Sequence, residues 1–377
     1  MSPQRPRPIT ADGPVQVDSF LLKRHLGSGA MGDVYLAEEA ITNRKVAVKF
    51  VQSRIQDDPA AMARFHKEIE AAATLVHPNI ALFAGHGTWN GMTYMAMELV
   101  EGVELATFVQ NGARLSEEIA LFLIIQIAEA LEYAHQRTGL VHRDIKPGNI
   151  ILQLGGSTTI DSSTRAKIID FGLASFRATL DQEFTGDAAK SIHKTQEDIG
   201  GQTVGTPAYM PPEQVRGDAQ ITFAADVYSL GATLYHLLTG RIPYEAKSPS
   251  LILVAHLQEP VPDPSKLVPE LRASVRDLVM RAMAKDPGHR HKSWEQFIAA
   301  ARAALKLVQQ GTVRITARQL KDPSRQRHER VDESARFVRR ALGDIKPGTI
   351  SGADALGTLI ARRSFEKSNP DQGTTPG

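Results

Sequence analysis

The chain has 377 residues, 42% of them hydrophobic and 23% charged, with 44 Lys and Arg against 42 Asp and Glu. At about 150 residues per domain that is roughly two to three structural units with room for a sizeable core, which excludes a small stapled fold. A formal charge of +2 excludes adhesion to nucleic acid or membrane by bulk charge, and the absence of cysteine excludes disulfides, thiol nucleophiles and Cys-ligated metal centres.

Residues 1–19 are rich in proline and polar side chains without periodicity and are expected to be a disordered leader, with no apolar stretch to make a secretory signal. From Phe20 to about residue 100, β-favouring runs dominate: FLLKRHL, DVYLAEEA, KVAVKFV and MTYMAMEL. One helical pattern interrupts them at Ala60 to Leu75. After Gly102 the pattern turns helical. Ser116 caps a helix with Glu117 and Glu118 in its first turn, and apolar stripes of helical period follow at 223–239, 249–258, 271–284 and 294–309. The polar stretch 154–164 lies between two β-like runs and predicts a hairpin loop, whereas 175–202 is too long for an idle connection. The longest apolar run, IALFLIIQI at 119–127, is far short of the roughly 18 residues of a membrane span, so no span and a cytoplasmic location are expected.

Charge is unevenly placed. Residues 311–377 hold 13 Lys and Arg against 8 Asp and Glu, a net +5, and the preceding 310 residues hold 31 against 34. The segment 309–377 is therefore a basic tail. Short amphipathic helices are expected in it, one through Val331, Ala335, Val338, Leu342 and Ile345 and one after a capping box of Ser351 and Asp354.

Gly27, Ser28, Gly29, Ala30, Met31 and Gly32, followed by Val34, form a loop of the GxGxxGxV pattern, whose backbone can approach phosphates closely. Alone, the pattern also fits a plain turn. A dinucleotide-binding turn would lead into a helix, but DVYLA reads as a strand, so these glycines cap a hairpin. Lys49 ends the strand VAVK, and Glu68 on the helix Ala60 to Leu75 carries a carboxylate able to pair with it. Glu70 competes for that role, since two residues turn a helix about 200° and only one of them can face Lys49. Further on come His142-Arg143-Asp144-Ile145-Lys146-Pro147-Gly148-Asn149, then Asp170-Phe171-Gly172, then Gly205-Thr206-Pro207-Ala208-Tyr209-Met210-Pro211-Pro212-Glu213.

This ordered set resembles the eukaryotic-type (Hanks-type) Ser/Thr protein kinases, and in phrase looks most like the bacterial eukaryotic-like ones, over residues 20–308. The resemblance implies an α+β, two-lobed fold: a small β-rich N-lobe (20–100) with one main helix and a larger helical C-lobe (101–308). It implies transfer of the γ-phosphate of ATP to Ser/Thr hydroxyls of protein substrates, autophosphorylation included. Asp144 would orient the acceptor hydroxyl, Lys146 would neutralise the γ-phosphate, and Lys49 held by Glu68 would ground the α- and β-phosphates. Asn149 and Asp170 would hold Mg2+ or Mn2+. Adenine would lie under Val34 and Ala47 and over Ile151, against the backbone of Glu98 and Val100, with Met97 guarding the space behind. Structural pairings follow: Glu213 with Arg290, Asp226 beneath the catalytic loop, and Thr206 bridging Asp144 and Lys146. The family's Ala-Pro-Glu reads Pro211-Pro212-Glu213 here.

The competing class is a pseudokinase scaffold of the same fold, but Lys49, Asp144, Asn149 and Asp170 are all present. Small-molecule kinases of related fold would lack the GTPAYMPPE segment, and no GxxxxGK[ST] exists for a P-loop NTPase. Arg143 is expected to want an anion, supplied by phosphate on Thr185, Ser191, Thr195 or Thr203, or mimicked by Glu197 and Asp198. Phosphothreonine-binding partners would follow from the first option. Arg362-Arg363-Ser364-Phe365 resembles a basic phosphoacceptor or pseudosubstrate segment, and a dimer is compatible with the sequence.

Overall fold

The computed structural model describes residues 9–10, 13–29, 32–51, 59–171 and 207–319. The β-favouring runs form one antiparallel sheet from β1 (Ile9–Thr10), β2 (Gly13–Val17), β3 (Phe20–Gly29), β4 (Gly32–Glu39), β5 (Lys45–Val51), β6 (Phe83–Trp89) and β7 (Met92–Glu98), in the order β1-β2-β3-β4-β5-β7-β6. Alternation drives it: on β5, Val46 and Val48 are fully buried, and they join Leu22, Tyr35, Ala37, Tyr94 and Ala96 in one apolar cluster. Helix α1 (Pro59–Ala73) lays Phe65 and Ile69 on the opposite face, against Val51, Met95 and Met97.

Part of the expected leader is structured. Residues 13–17 form a strand on the edge of β3, with Val15 opposite Leu22 and Val17 opposite Phe20. Val17 is fully buried, and the Asp18 carboxylate accepts the Tyr94 hydroxyl from inside the sheet. Docking on an existing edge, rather than local propensity, makes this segment a strand.

The C-lobe is built around α2 (Glu117–Thr138), which follows the short strand β8 (Val103–Glu104). Ser116 caps α2 by accepting from the Ile119 N–H at 3.3 Å, and Gly139, at φ 72°, ends it in the left-handed conformation that glycine adopts without strain. The strands β9 (Ile150–Gln153) and β10 (Arg165–Ile168) form the expected hairpin around 154–164, with β9 also paired to β8. There follow α3 (Pro212–Arg216), α4 (Phe223–Thr239), α5 (Pro249–Gln258), α6 (Ala273–Ala282) and α7 (Trp294–Gln319). Helix α4 is buried along nearly its whole length, capped by Thr222 and closed by Gly240. The expected tail boundary at 309 falls inside α7, which runs on through Gly311 to Gln319.

The lobes are stitched where β10 passes the segment before β6. Ile80 bridges Ile168 in parallel, the Ala81 N–H donates to the Ile168 carbonyl at 2.9 Å, and Ile168 returns a bond to Asn79 at 2.8 Å. Among the described residues no helix is long and apolar enough to cross a membrane. The expected acceptor and mimic residues Thr185, Ser191, Thr195, Thr203, Glu197 and Asp198 lie outside the described residues. So do Ala30, Met31, Gly172, Thr206, Arg362 to Phe365 and the expected helices after residue 320.

Candidate active site

The catalytic loop runs from the end of α2 to β9, and Asp226 on α4 holds it from below. One carboxylate oxygen accepts from the His142 N–H at 2.7 Å and the other from the Arg143 N–H at 2.8 Å. Burial pushes the Asp226 carboxyl up to about 6, against the two backbone bonds that favour its charge. The clamp holds Arg143 at φ 62°, a left-handed conformation unfavourable for a non-glycine residue. The Arg143 Nε is buried without a hydrogen-bond partner among the described residues.

His142 ties the loop to the segment before Phe171. Its Nδ1 accepts from the Asp144 N–H at 3.3 Å, which leaves the proton on Nε2 to donate to the Ile169 carbonyl at 3.2 Å. Its ring meets Phe171 edge-on at 4.7 Å. The sequence reading gave His142 no task, because only the folded loop shows both ring nitrogens engaged.

Asp144 is 9% exposed, and its carboxylate receives the Lys146 ammonium at 3.0 Å. The Asn149 amide nitrogen donates to both the carboxylate and the backbone carbonyl of Asp144. That fixes the amide with its nitrogen toward Asp144 and leaves its oxygen as the atom suited to a cation. The Ile169 N–H donates to the Asn149 carbonyl at 3.0 Å, bringing Asp170 beside Asn149. An amide oxygen and a carboxylate are hard donors that fit Mg2+ or Mn2+. Among the described residues no group of three or more His, Cys, Asp or Glu could hold a metal by itself. Two hard oxygen donors leave the remaining positions of such an ion to phosphate and water.

Across the cleft, Lys49 on β5 is 8% exposed, and its ammonium lies 2.7 Å from Asp170. Among the described ion pairs, Lys49 is matched with Asp170 rather than with the expected Glu68. On α1, Glu68 is half-buried beside Ile69 and Glu70 is exposed. Asp170 itself sits at φ 64°, whereas Asp144 follows the left-handed Arg143.

The remaining expected residues fall around this cleft. Gly27 pairs with Val34, Ser28 with Asp33 and Gly29 with Gly32 across the hairpin, and Val34 lies opposite Lys49. Ala47 lies opposite Met97, which packs with Phe65 and Ile69 behind it. Ile151 and Val100 share a small apolar cluster with Ala81. The Glu98 N–H donates to the Leu82 carbonyl at 2.7 Å, so that donor is already engaged. Its side chain has an unforeseen role: both carboxylate oxygens lie 2.6 Å from the ammonium of Lys167, joining the end of β7 to β10. Below the site, Arg290 is fully buried and grips Glu213 at 2.6 and 2.8 Å, as the sequence led one to expect.

Residues 20–301 match the protein kinase domain family. The chain belongs to the protein kinase family. It is 34% identical over 285 residues to the serine/threonine-protein kinase PrkC of Bacillus subtilis, covering 76% of this chain and 40% of that protein. It is 34% identical over 330 residues to PknH of Mycobacterium bovis, covering 88% and 48%. The chain thus spans less than half the length of the curated relatives it matches. The kinase domain of Mycobacterium tuberculosis PknI superposes with a TM-score of 0.59 at 28% identity, over 77% of this chain and 97% of that one. The α+β, two-lobed reading stands. Protein kinases as a family use ATP and a divalent metal.

Proposed function

We propose that the chain is an ATP-dependent Ser/Thr protein kinase that phosphorylates proteins, itself included, with Mg2+ or Mn2+. The observation that carries this reading is the buried Asp144 carboxylate, held between Lys146 and Asn149 and facing the Lys49–Asp170 pair across the cleft. Phosphoryl transfer asks for positioning and charge neutralisation with little covalent help.

Asp144 accepts a hydrogen bond from the acceptor hydroxyl and aims its oxygen at the γ-phosphorus. The new P–O bond forms as the bond from γ-phosphorus to the β,γ-bridging oxygen breaks, leaving ADP, and the hydroxyl proton passes toward Asp144. Lys146, beside the same carboxylate, follows the charge onto the transferred group. Lys49 sits on a strand that pairs with the glycine hairpin, so its ammonium, held at 2.7 Å from Asp170, can meet the α- and β-phosphates. Asn149 and Asp170 would hold the metal, which when bound would neutralise charge on the β- and γ-phosphate oxygens. A hydroxyl of Ser or Thr fits the Lys146-bearing loop.

The Arg143 Nε, buried and without a partner among the described residues, supports regulation by an anion such as phosphate on one of the hydroxyls between residues 185 and 203. Incubation with radiolabelled ATP, Mg2+ and a generic protein acceptor tests the function. Label on phosphoserine or phosphothreonine is expected, and label on phosphotyrosine alone or none at all would contradict it.

A further inference from the structure

The glycine hairpin carries a second set of side chains on the face turned away from Val34. Successive side chains of a strand alternate, so Asp33 and Tyr35 share one face of β4 and Val34 takes the other. Ser28 lies opposite Asp33, and His25 opposite Tyr35. On a regular strand, residues three apart point to opposite faces; the register shift between His25 and Gly27 brings His25 and Ser28 to the same one.

The contacts converge. The Ser28 hydroxyl donates to Asp33 Oδ1 at 2.5 Å, and His25 Nε2 lies 3.2 Å from that hydroxyl and 3.6 Å from the same carboxylate oxygen. The His25 ring is braced edge-on against Tyr35 at 5.0 Å. Asp33 is 8% exposed, so its carboxylate is withdrawn from water one register position from the Gly29–Gly32 pair.

We propose that Ser28, Asp33 and His25 form a clip that sets the position of the glycine loop, making Ser28 and Asp33 positioning residues for nucleotide binding. The inference rests on the reading of this hairpin as the phosphate cradle. A glycine-rich tip loses much backbone freedom when its N–H groups gather round phosphates. A charge-assisted bond between the last side chains on either side of the tip removes part of that freedom beforehand, so less affinity is lost to ordering. The clip acts through the backbone and touches no phosphate itself.

Calorimetric titration of the full chain with Mg-ATP, together with KM and kcat, tests it through a double-mutant cycle. Ser28→Ala and Asp33→Ala should each weaken nucleotide binding by about three- to tenfold, with KM moving more than kcat. The double variant should be no weaker than the weaker single one. Ser28→Thr keeps the donor and should recover most of the affinity, and Asp33→Asn, which keeps an acceptor without the charge, should recover part of it. Ser28 is exposed, so its variants carry the test even where Asp33→Ala folds poorly. Alanine variants within twofold of the parent, or losses that add in the double variant, would overturn the clip alone. A parent chain that binds no Mg-ATP would overturn the cradle reading and the clip with it.

Discussion

The pair Glu213–Arg290 gives the sharpest stability prediction. Arg290 is fully buried, and its guanidinium holds the Glu213 carboxylate through two bonds of 2.6 and 2.8 Å. Glu213→Ala leaves that charge in the interior with the carbonyls of Ala224 and Ala284 at 2.7 Å, Lys285 at 3.2 Å, and the Tyr228 ring at 4.9 Å. Removing one partner of a buried pair costs about 3–5 kcal/mol. The surviving carbonyls argue for the lower end, about 3 kcal/mol, or a fall in Tm of about 6–12 °C for a lobe of this size. Replacing both residues by Met removes the stranded charge and should recover at least half of the loss. Urea unfolding at neutral pH, followed by tryptophan fluorescence, reads both variants. A loss below about 1 kcal/mol in Glu213→Ala, or a double variant no better than the single, would refute the reasoning.

Other consequences are as direct. Burial holds His256 near 3 and His236 near 4, so the fold keeps them neutral while the unfolded chain protonates them. Their contribution is present above the ordinary histidine value and is lost as pH falls toward those values. Asp226 has the opposite slope: raised to about 6, its contribution is full below the ordinary Asp value and is lost as pH rises through 6. Acid unfolding curves should therefore become steeper in Asp226→Asn and shallower in His256→Gln; unchanged slopes would count against both assignments. Gly240 sits at φ 70° with an added Cβ only 2.4 Å from the Gly112 carbonyl, so Gly240→Ala should lose at least about 2 kcal/mol in urea unfolding. Lys167→Met breaks the only ion pair described between the Glu98 carboxylate and β10, and should raise KM for ATP by about threefold or more in steady-state kinetics while kcat changes less.

What the sequence made legible was local. HRDIKPGN and DFG put Asp144, Lys146, Asn149 and Asp170 in short runs whose spacing survives folding. Ser116 with Glu117 and Glu118 announced α2 because a cap acts within one turn. Contacts between distant segments were harder. Lys167 and Glu98 are 69 residues apart, and nothing in AKIID or MEL says that one faces the other. The strand at 13–17 was missed because GPVQV has little strand character until the β3 edge and Tyr94 receive it. Lys49 and Glu68 were each placed in the right element, yet a one-residue motif could not say that Asp170 takes the lysine. Composition also hid the end of α7, whose last turns are polar, Arg-bearing and interrupted by Gly311.

The account stands or falls on Asp144. The full chain and its Asp144→Asn variant, each incubated with Mg-ATP and analysed by intact-mass and peptide mass spectrometry, should differ. The account predicts phosphate on Ser or Thr residues of the parent and none on the variant, with Mg-ATP binding retained by both. Equal phosphorylation of the two, or a parent that binds Mg-ATP and never acquires phosphate or passes it to a protein acceptor, would contradict it.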